Sequence, residues 1–97
     1  MLVLITYDVN TETPAGRTRL RRIAKICQNY GQRVQCSVFE CQVDATQLKM
    51  VQALLLAEYD PKLDSLRIYT LGNMYLGRVQ HFGVKPSFDV AKDALIV

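Results

Sequence analysis

The sequence is poor in the residue types that bind zinc or form disulfide frameworks. It holds one histidine, His81, and three cysteines, Cys27, Cys36 and Cys41, none of them in CxxC spacing. These counts argue against a zinc centre and a disulfide framework, and they favour buried thiols in a reducing cytoplasm. We assign no role to the thiols or to His81, because a lone histidine more often packs or faces solvent than binds a ligand.

Long hydrophobic runs, linkers and low-complexity segments are also missing. The apolar start LVLI is too short to cross a membrane, has no basic region before it and is soon followed by an acid. We therefore expect neither an export signal nor a membrane partner. A hydrophobic share of 49% with 22% charged residues is that of a folded protein, and the length suits one domain. We predict a single domain over residues 1–97.

Acidic residues are missing from one stretch, AGRTRLRRIAKICQNY, which covers residues 15–30 and contributes +5 to the charge. The rest of the chain sums to −2, from seven basic and nine acidic residues. Apolar residues recur there at spacings of three and four, which predicts a helix. Pro14 suits its start, and Gly31 suits a left-handed residue at its end.

The basic residues of this helix occupy the arc opposite its apolar face, with Arg19 at the border. Solvated helix faces usually mix charges of both signs, so an acid-free face favours a polyanionic partner over simple solvation. The residues concerned are Arg17, Arg19, Arg21, Arg22 and Lys25.

The remaining pattern predicts a ferredoxin-like α+β domain. QRVQCSVFECQV reads as two short strands, about 33–36 and 38–43, with a bend near Cys36 and Ser37. DATQLKMVQALLLAEY predicts a second helix that begins with a capping box, SLRIYTL alternates as a strand, and a turn follows at Gly72 and Asn73. The order βαββαβ places two helices on one face of an antiparallel sheet. RVQHFG adds an extra C-terminal strand, KPSFDVAKD an irregular link, and ALIV an apolar tail.

The first strand predicts self-association. Its run of Leu2, Val3, Leu4 and Ile5 does not alternate with polar residues, a pattern typical of burial on both faces. Two helices cover only one face of the sheet. We therefore predict a two-fold homodimer through the sheet face, with ALIV reaching onto the neighbouring copy.

The same strand ends on a carboxylate, Asp8, which either caps a turn or serves chemistry. A two-fold axis beside the strand end would bring two Asp8 carboxylates together, and they would repel each other unless a cation lay between them. Mg²⁺ needs few protein carboxylates and keeps several waters. It could activate one of those waters and stabilise charge on a phosphate under attack, which makes Asp8 a candidate catalytic metal ligand.

The segments LVLITYD, AKICQNYG, QRVQCSVFE, SLRIYTLGN and KPSFDV occur in that order over nearly the whole chain. In this it resembles the small CRISPR-associated nuclease family that partners the spacer integrase during CRISPR adaptation. The resemblance implies a ferredoxin-like homodimer whose paired Asp8 residues hold Mg²⁺, or Mn²⁺ in its place, and which cleaves double-stranded DNA or single-stranded RNA. It also matches Tyr7, Arg33 and Phe39 to family positions, and completes the expected nucleic-acid-binding set: Tyr7, Arg17, Arg19, Arg21, Arg22, Lys25, Arg33, Ser37 and Phe39.

Two alternatives remain open. In the first, which the same resemblance implies, the dimer is a non-catalytic scaffold that bridges CRISPR integrase dimers and holds the middle of a DNA duplex. In the second, the protein is a sheet-based RNA binder in which Tyr7 and Phe39 stack on bases. SVFECQV lacks the glycine and flanking aromatic residues of the RNP1 pattern, which disfavours the second alternative.

Overall fold

The computed structural model describes residues 1–73 and 79–84. Within these residues the elements follow in the order β1 (Leu2–Asp8), α1 (Pro14–Tyr30), β2 (Gly31–Gln35), β3 (Val38–Gln42), α2 (Ala45–Glu58) and β4 (Ser65–Gly72). The strands form one antiparallel sheet in the order β2-β3-β1-β4. Both helices pack on the same face of it. This arrangement confirms the predicted ferredoxin-like α+β fold and the order of its elements.

The core lies between the sheet and the two helices. Alternate residues of β1, namely Val3, Ile5 and Tyr7, face the helices and are buried, whereas Leu4 is half-buried on the other face. Each large apolar side chain that is fully enclosed contributes about 1.5 to 3 kcal/mol to the stability of the fold. The fully enclosed side chains include Val3, Ile5, Ile23, Cys27, Phe39, Cys41, Val51 and Leu55.

Both helices begin at the caps that the sequence indicates. Pro14 opens α1, and the Thr13 hydroxyl accepts a hydrogen bond from the Gly16 N–H at 3.1 Å. At the start of α2, the Gln47 N–H donates to Asp44 Oδ1 at 2.7 Å, and the Asp44 N–H donates to Gln47 Oε1 at 3.0 Å. The predicted capping box is therefore confirmed, and these bonds satisfy N–H groups that a helix start leaves unpaired.

The predicted left-handed conformation of Gly31 is wrong. Its φ is −169°, which is extended backbone, and the residue starts β2 directly after α1. A Cβ on this residue would collide with the carbonyl oxygen of Glu40 and lie 2.6 Å from Cys41 Sγ. Glycine is needed here because β2 approaches β3 closely. The bend predicted at Cys36 and Ser37 is confirmed as the turn between these strands.

The extra strand predicted from RVQHFG is wrong where it can be compared with the structure. Residues 79–83 have no strand conformation, and Phe82 is 83% exposed. A strand needs a neighbour that satisfies its backbone groups, and none pairs with this segment among the described residues. Arg78, the link KPSFDVAKD and the tail ALIV lie outside the described residues. At the predicted turn, Gly72 ends β4 with a φ of +80°, and the chain bends at Asn73.

Neither α1 nor α2 combines the length and the hydropathy that a bilayer crossing requires.

Candidate metal and nucleic-acid site

Asp8 lies at the exposed end of β1, opposite Ser65 of β4. Leu4 and Thr6 share its face of the sheet, where Leu4 lies opposite Tyr69. Tyr69 is 42% exposed, and its hydroxyl accepts a hydrogen bond from Arg67 Nη1 at 3.1 Å. We call this helix-free side of the sheet the open face. Both helices pack on the opposite side and leave the open face uncovered. This arrangement permits a homodimer through the open face, which stays a prediction.

The turn after β1 is held by residues other than Asp8. Asn10 Oδ1 accepts from the Glu12 N–H at 3.0 Å, and Asp64 Oδ1 accepts from the Asn10 N–H at 3.0 Å. Across the described part of the chain, no hydrogen bond or ion pair engages the Asp8 carboxylate. The reading of Asp8 as a turn cap therefore loses its support, and the carboxylate is available for another role.

Asp8 belongs to no cluster of metal-binding side chains within one chain, as far as the structure describes it. Among the described residues, no group of three or more histidine, cysteine or acidic side chains could hold a metal ion. A single exposed carboxylate suits Mg²⁺, which is commonly bound by one or two carboxylates and retains waters. The Asp8 carboxylate of one chain thus fits one half of a metal site that two copies would share across a two-fold axis.

Tyr7 precedes Asp8 but points to the opposite side of the sheet. Its ring stacks against Phe39, with centroids 6.2 Å apart and planes inclined by 23°. The Arg33 guanidinium lies over the Phe39 ring, 5.2 Å from its centroid. The structure therefore brings three of the predicted site residues together, although on the helix side and away from Asp8.

The burial of these rings contradicts the RNA-binding alternative. Phe39 is 0% exposed and Tyr7 is 5% exposed, because both pack under the helices. Neither ring offers a face on which a base could stack. The role of Phe39 in the structure is to fill the core and to support Arg33 from below.

A basic groove separates α1 from the turn between β2 and β3. It has a volume of about 500 Å³, and its charged rim consists of Arg17, Arg21, Lys25 and Arg33. Tyr7, Cys36 and Ser37 also line it, and none of its described lining residues is acidic. Six of the nine residues predicted to bind nucleic acid thus line one groove.

Arg19 lies outside the basic groove and forms a structural ion pair. Its Nε lies 2.8 Å from Asp64 Oδ2, and its Nη2 donates to Asp64 Oδ1 at 3.2 Å. The side chain of Asp64 is fully enclosed and also accepts from the Asp60 N–H at 2.9 Å. The hydrogen bonds from Arg19 and from the backbone lower the pKa of Asp64 to about 2.

Arg22 also faces away from the basic groove. Its Nη1 lies 3.3 Å from Glu58 Oε1 in an exposed pair that joins α1 to α2. Residues 15–30 contain no acid, and the acids that pair with Arg19 and Arg22 come from distant parts of the chain. The border position of Arg19 on the helical arc is the signal that distinguishes it from the others.

The thiols differ in exposure. Burial raises the pKa of Cys27 to about 12 and that of Cys41 to about 11, which agrees with the expected buried thiols. Cys36 is a correction, because it is exposed at the turn between β2 and β3. All three cysteines are free.

Comparison with known proteins identifies the family. Residues 1–79 match the family model described as CRISPR associated protein Cas2. The chain belongs to the Cas2 family. It is 68% identical over 90 residues to the CRISPR-associated endoribonuclease Cas2 of Chlorobaculum tepidum, covering 93% of this chain and 94% of that protein. It is 59% identical over 96 residues to the CRISPR-associated endonuclease Cas2 of Halalkalibacterium halodurans, covering 99% of each.

Solved structures of similar proteins agree with the fold. The crystal structure of Streptococcus pyogenes Cas2 at pH 6.5 matches with a TM-score of 0.75 and 54% identity, over 86% of this chain and all of that one. A hypothetical protein from Thermus thermophilus matches with a TM-score of 0.72 and 32% identity, over 89% of this chain and 94% of that one. These matches confirm the family resemblance in the sequence.

Proposed function

We propose that this Cas2-family chain is a homodimeric endonuclease of CRISPR adaptation that depends on Mg²⁺ or Mn²⁺. It hydrolyses phosphodiester bonds of double-stranded DNA or single-stranded RNA. The observation that carries this proposal is the exposed Asp8 carboxylate, which ends a buried strand on the open face and forms no hydrogen bond or ion pair with the described residues. Relatives that are named endonuclease and endoribonuclease support the reaction class.

The proposed catalytic site forms when two copies pair through their open faces. Each copy would contribute its Asp8, and the two carboxylates would hold one cation, which would relieve their mutual repulsion. When bound there, such a cation would supply an activated water and neutralise charge on the phosphate that is attacked. The role of Asp8 is to hold that cation at the end of a rigid central strand.

The basic groove is proposed to bind the nucleic-acid backbone. Arg17, Arg21 and Lys25 project from one face of α1, and Arg33 closes the groove from β2. Contacts of this kind with phosphates position a duplex or a single strand without reading its sequence. Their contribution to affinity falls as salt rises, because binding releases counterions from the nucleic acid.

The scaffold alternative is favoured by one specific observation. The basic groove lies on the helix side of the sheet, whereas Asp8 faces the other side. A duplex held by α1 therefore does not require Asp8. In this alternative the dimer bridges two CRISPR integrase dimers, and co-elution of the chain with the integrase encoded beside it is the expected result.

The test compares the wild-type protein with Asp8→Asn. Labelled duplex DNA and single-stranded RNA are incubated with each protein, with Mg²⁺ or with EDTA. We expect cleavage by Asp8→Asn to fall by about a hundredfold or more, because the variant removes the charge that binds the cation. The mass of the dimer and its affinity for DNA should not change.

Glu12→Gln is the matched control, since it removes one exposed acidic charge from the loop that follows β1. It should cleave at the wild-type rate. Mg²⁺-dependent cleavage that persists in Asp8→Asn would refute the catalytic role of this residue. Wild-type protein that binds DNA and the integrase but cleaves neither nucleic acid would support the scaffold instead.

A further inference from the structure

Cys36 is the exposed thiol of the chain, and it lies in the basic groove. It occupies the turn between β2 and β3, next to Ser37. Cys27 and Cys41 are enclosed in the core, where burial disfavours their thiolates. The thiolate is the nucleophile in thiol chemistry, and access decides which cysteine reacts. A reagent from solvent should therefore reach Cys36 first.

A second feature of the basic groove indicates a ligand. The Tyr7 hydroxyl is buried, and no described group forms a hydrogen bond with it. Tyr7 lines the basic groove together with Arg33 and Cys36, and burial raises the pKa of its hydroxyl. Buried hydroxyls are usually hydrogen-bonded, so an unpaired one in a groove favours a ligand that accepts a hydrogen bond.

The charges around Cys36 favour a ligand of negative charge. Arg21, Lys25 and Arg33 line the same groove, and within the part of the chain that the structure describes no carboxylate lines it. Grooves lined by one sign of charge raise the local concentration of the opposite ion. The volume of about 500 Å³ is sufficient for a small organic anion.

We propose that Cys36 is a modification site for small anionic disulfides, of which glutathione disulfide is the representative. The Cys36 thiolate attacks one sulfur of the disulfide, a new bond forms between Sγ and that sulfur, and the original sulfur–sulfur bond breaks. The second half leaves as a thiolate and takes up the proton that Cys36 released. The Cys36 sulfur is oxidised and the leaving sulfur is reduced, so no further oxidant is required.

The adduct introduces carboxylates into the basic groove. These lie among the cations of α1, and one of them accepts a hydrogen bond from the Tyr7 hydroxyl. The consequence for nucleic acid rests on the proposed function of the groove: modification should weaken binding by occupying and neutralising it. Reduction of the mixed disulfide by free thiol restores the unmodified protein.

The first experiment measures the reaction itself. Reduced protein is mixed with glutathione disulfide or with cystamine, a cationic disulfide, and adducts are located by intact mass and peptide mapping. Rates are divided by those of the peptide VQCSV, which spans residues 34–38 and has no charged side chain. At low salt we expect the glutathione rate to exceed the cystamine rate by about tenfold after this correction, and salt should reduce the ratio.

Matched variants locate the origin of that preference. Lys25→Gln removes a cation from the groove, whereas Lys49→Gln removes an exposed cation from α2. The preference for glutathione disulfide should fall in the first and persist in the second. Cys36→Ser should form no adduct. Equal corrected rates for the two disulfides, or an adduct that forms first at Cys27 or Cys41, would overturn the proposal.

Tyr7→Phe tests the hydrogen bond to the adduct. The equilibrium constant for exchange with free glutathione should fall about threefold in this variant, the size of one modest hydrogen bond. The initial rate with cystamine should not change, because its adduct carries no acceptor. An unchanged equilibrium constant with glutathione would remove Tyr7 from the site.

The second experiment measures the effect on nucleic acid. Wild-type protein that carries the adduct should bind duplex DNA about tenfold more weakly at low salt than the reduced protein. Cys36→Ser treated in the same way should show no change on treatment. Equal affinity of modified and reduced protein would refute regulation of the groove. Reduced protein that fails to bind DNA would refute the proposed function of the groove. The mass measurements would still show whether Cys36 is modified.

Discussion

Replacement of Asp64 by asparagine should destabilise the fold through the loss of one enclosed ion pair. The Asp64 carboxylate accepts hydrogen bonds from Arg19 and from the backbone of Asn10 and Asp60. It thereby ties the start of α1, the turn after β1 and the loop before β4 to a single point. The asparagine side chain of the variant would keep one oxygen acceptor but would leave Arg19 without its counter-charge.

The pKa of Asp64 sets the size of this effect. The value falls from 3.8 to about 2 in the folded protein. Each pKa unit corresponds to about 1.4 kcal/mol, and solvent near the guanidinium screens part of it, so the stabilisation is about 1 to 2 kcal/mol. Because the folded pKa is the lower one, this stabilisation is complete above the unfolded value and is lost as the pH falls from about 4 toward about 2.

The assay is urea unfolding of wild type and Asp64→Asn at a fixed protein concentration, at neutral pH and again at about pH 3. We expect a loss of about 2 kcal/mol at neutral pH and a smaller difference in acid. Glu58→Gln is the control, because it breaks the exposed pair with Arg22 and should change the unfolding free energy by less than about 1 kcal/mol. Equal losses in both variants, or a loss at Asp64 that is the same at both pH values, would refute the reasoning.

Two further predictions concern the open face and the basic groove. Wild-type protein should have about twice the mass of one 11.0 kDa chain by light scattering. Leu4→Glu should shift the measured mass toward that of one chain, because a charge would enter the predicted interface. A wild-type mass of one chain would exclude the dimer. Glutamine at Arg17, Arg21 and Lys25 together should flatten the fall in DNA affinity between about 50 and about 200 mM salt. Arg22→Gln, outside the groove, should alter that slope less, and a wild-type slope in the triple variant would show that the groove does not hold phosphates.

The sequence predicted the elements well where local signals agree with packing. At the start of α2, the Asp44 and Gln47 side chains satisfy N–H groups within the same turn, so the boundary depends on neighbours alone. Gly31 shows the reverse. Its position after a helix suggests a left-handed cap, but the close approach of β2 to β3 determines its extended conformation, and that approach depends on residues ten positions away.

The sequence predicted most of the residues that line the basic groove, but it did not predict where Arg19 and Phe39 lie. Arg17, Arg21 and Lys25 share a groove, as their helical spacing indicates. The ion pair of Arg19 with Asp64 spans 45 positions of sequence, and helical periodicity cannot detect such a contact. Phe39 was expected at the nucleic acid, but an aromatic residue in a half-buried strand has two possible faces, and packing under the helices determines which one it takes.

The end of β1 explains how one short strand can serve two sites. Tyr7 and Asp8 are consecutive, and strand alternation sends their side chains to opposite faces of the sheet. The Tyr7 N–H donates to the carbonyl oxygen of Ser37 at 3.1 Å on one side, while on the other Tyr7 and Asp8 lie opposite Leu66 and Ser65. The strand end is therefore held by β4 and by the turn before β3, and the register irregularity of β1 with β4 lies at the far end, between Leu2 and Val3. The backbone that carries Asp8 is thus fixed without any use of the carboxylate oxygens, which suits the proposal that they hold a cation between two copies.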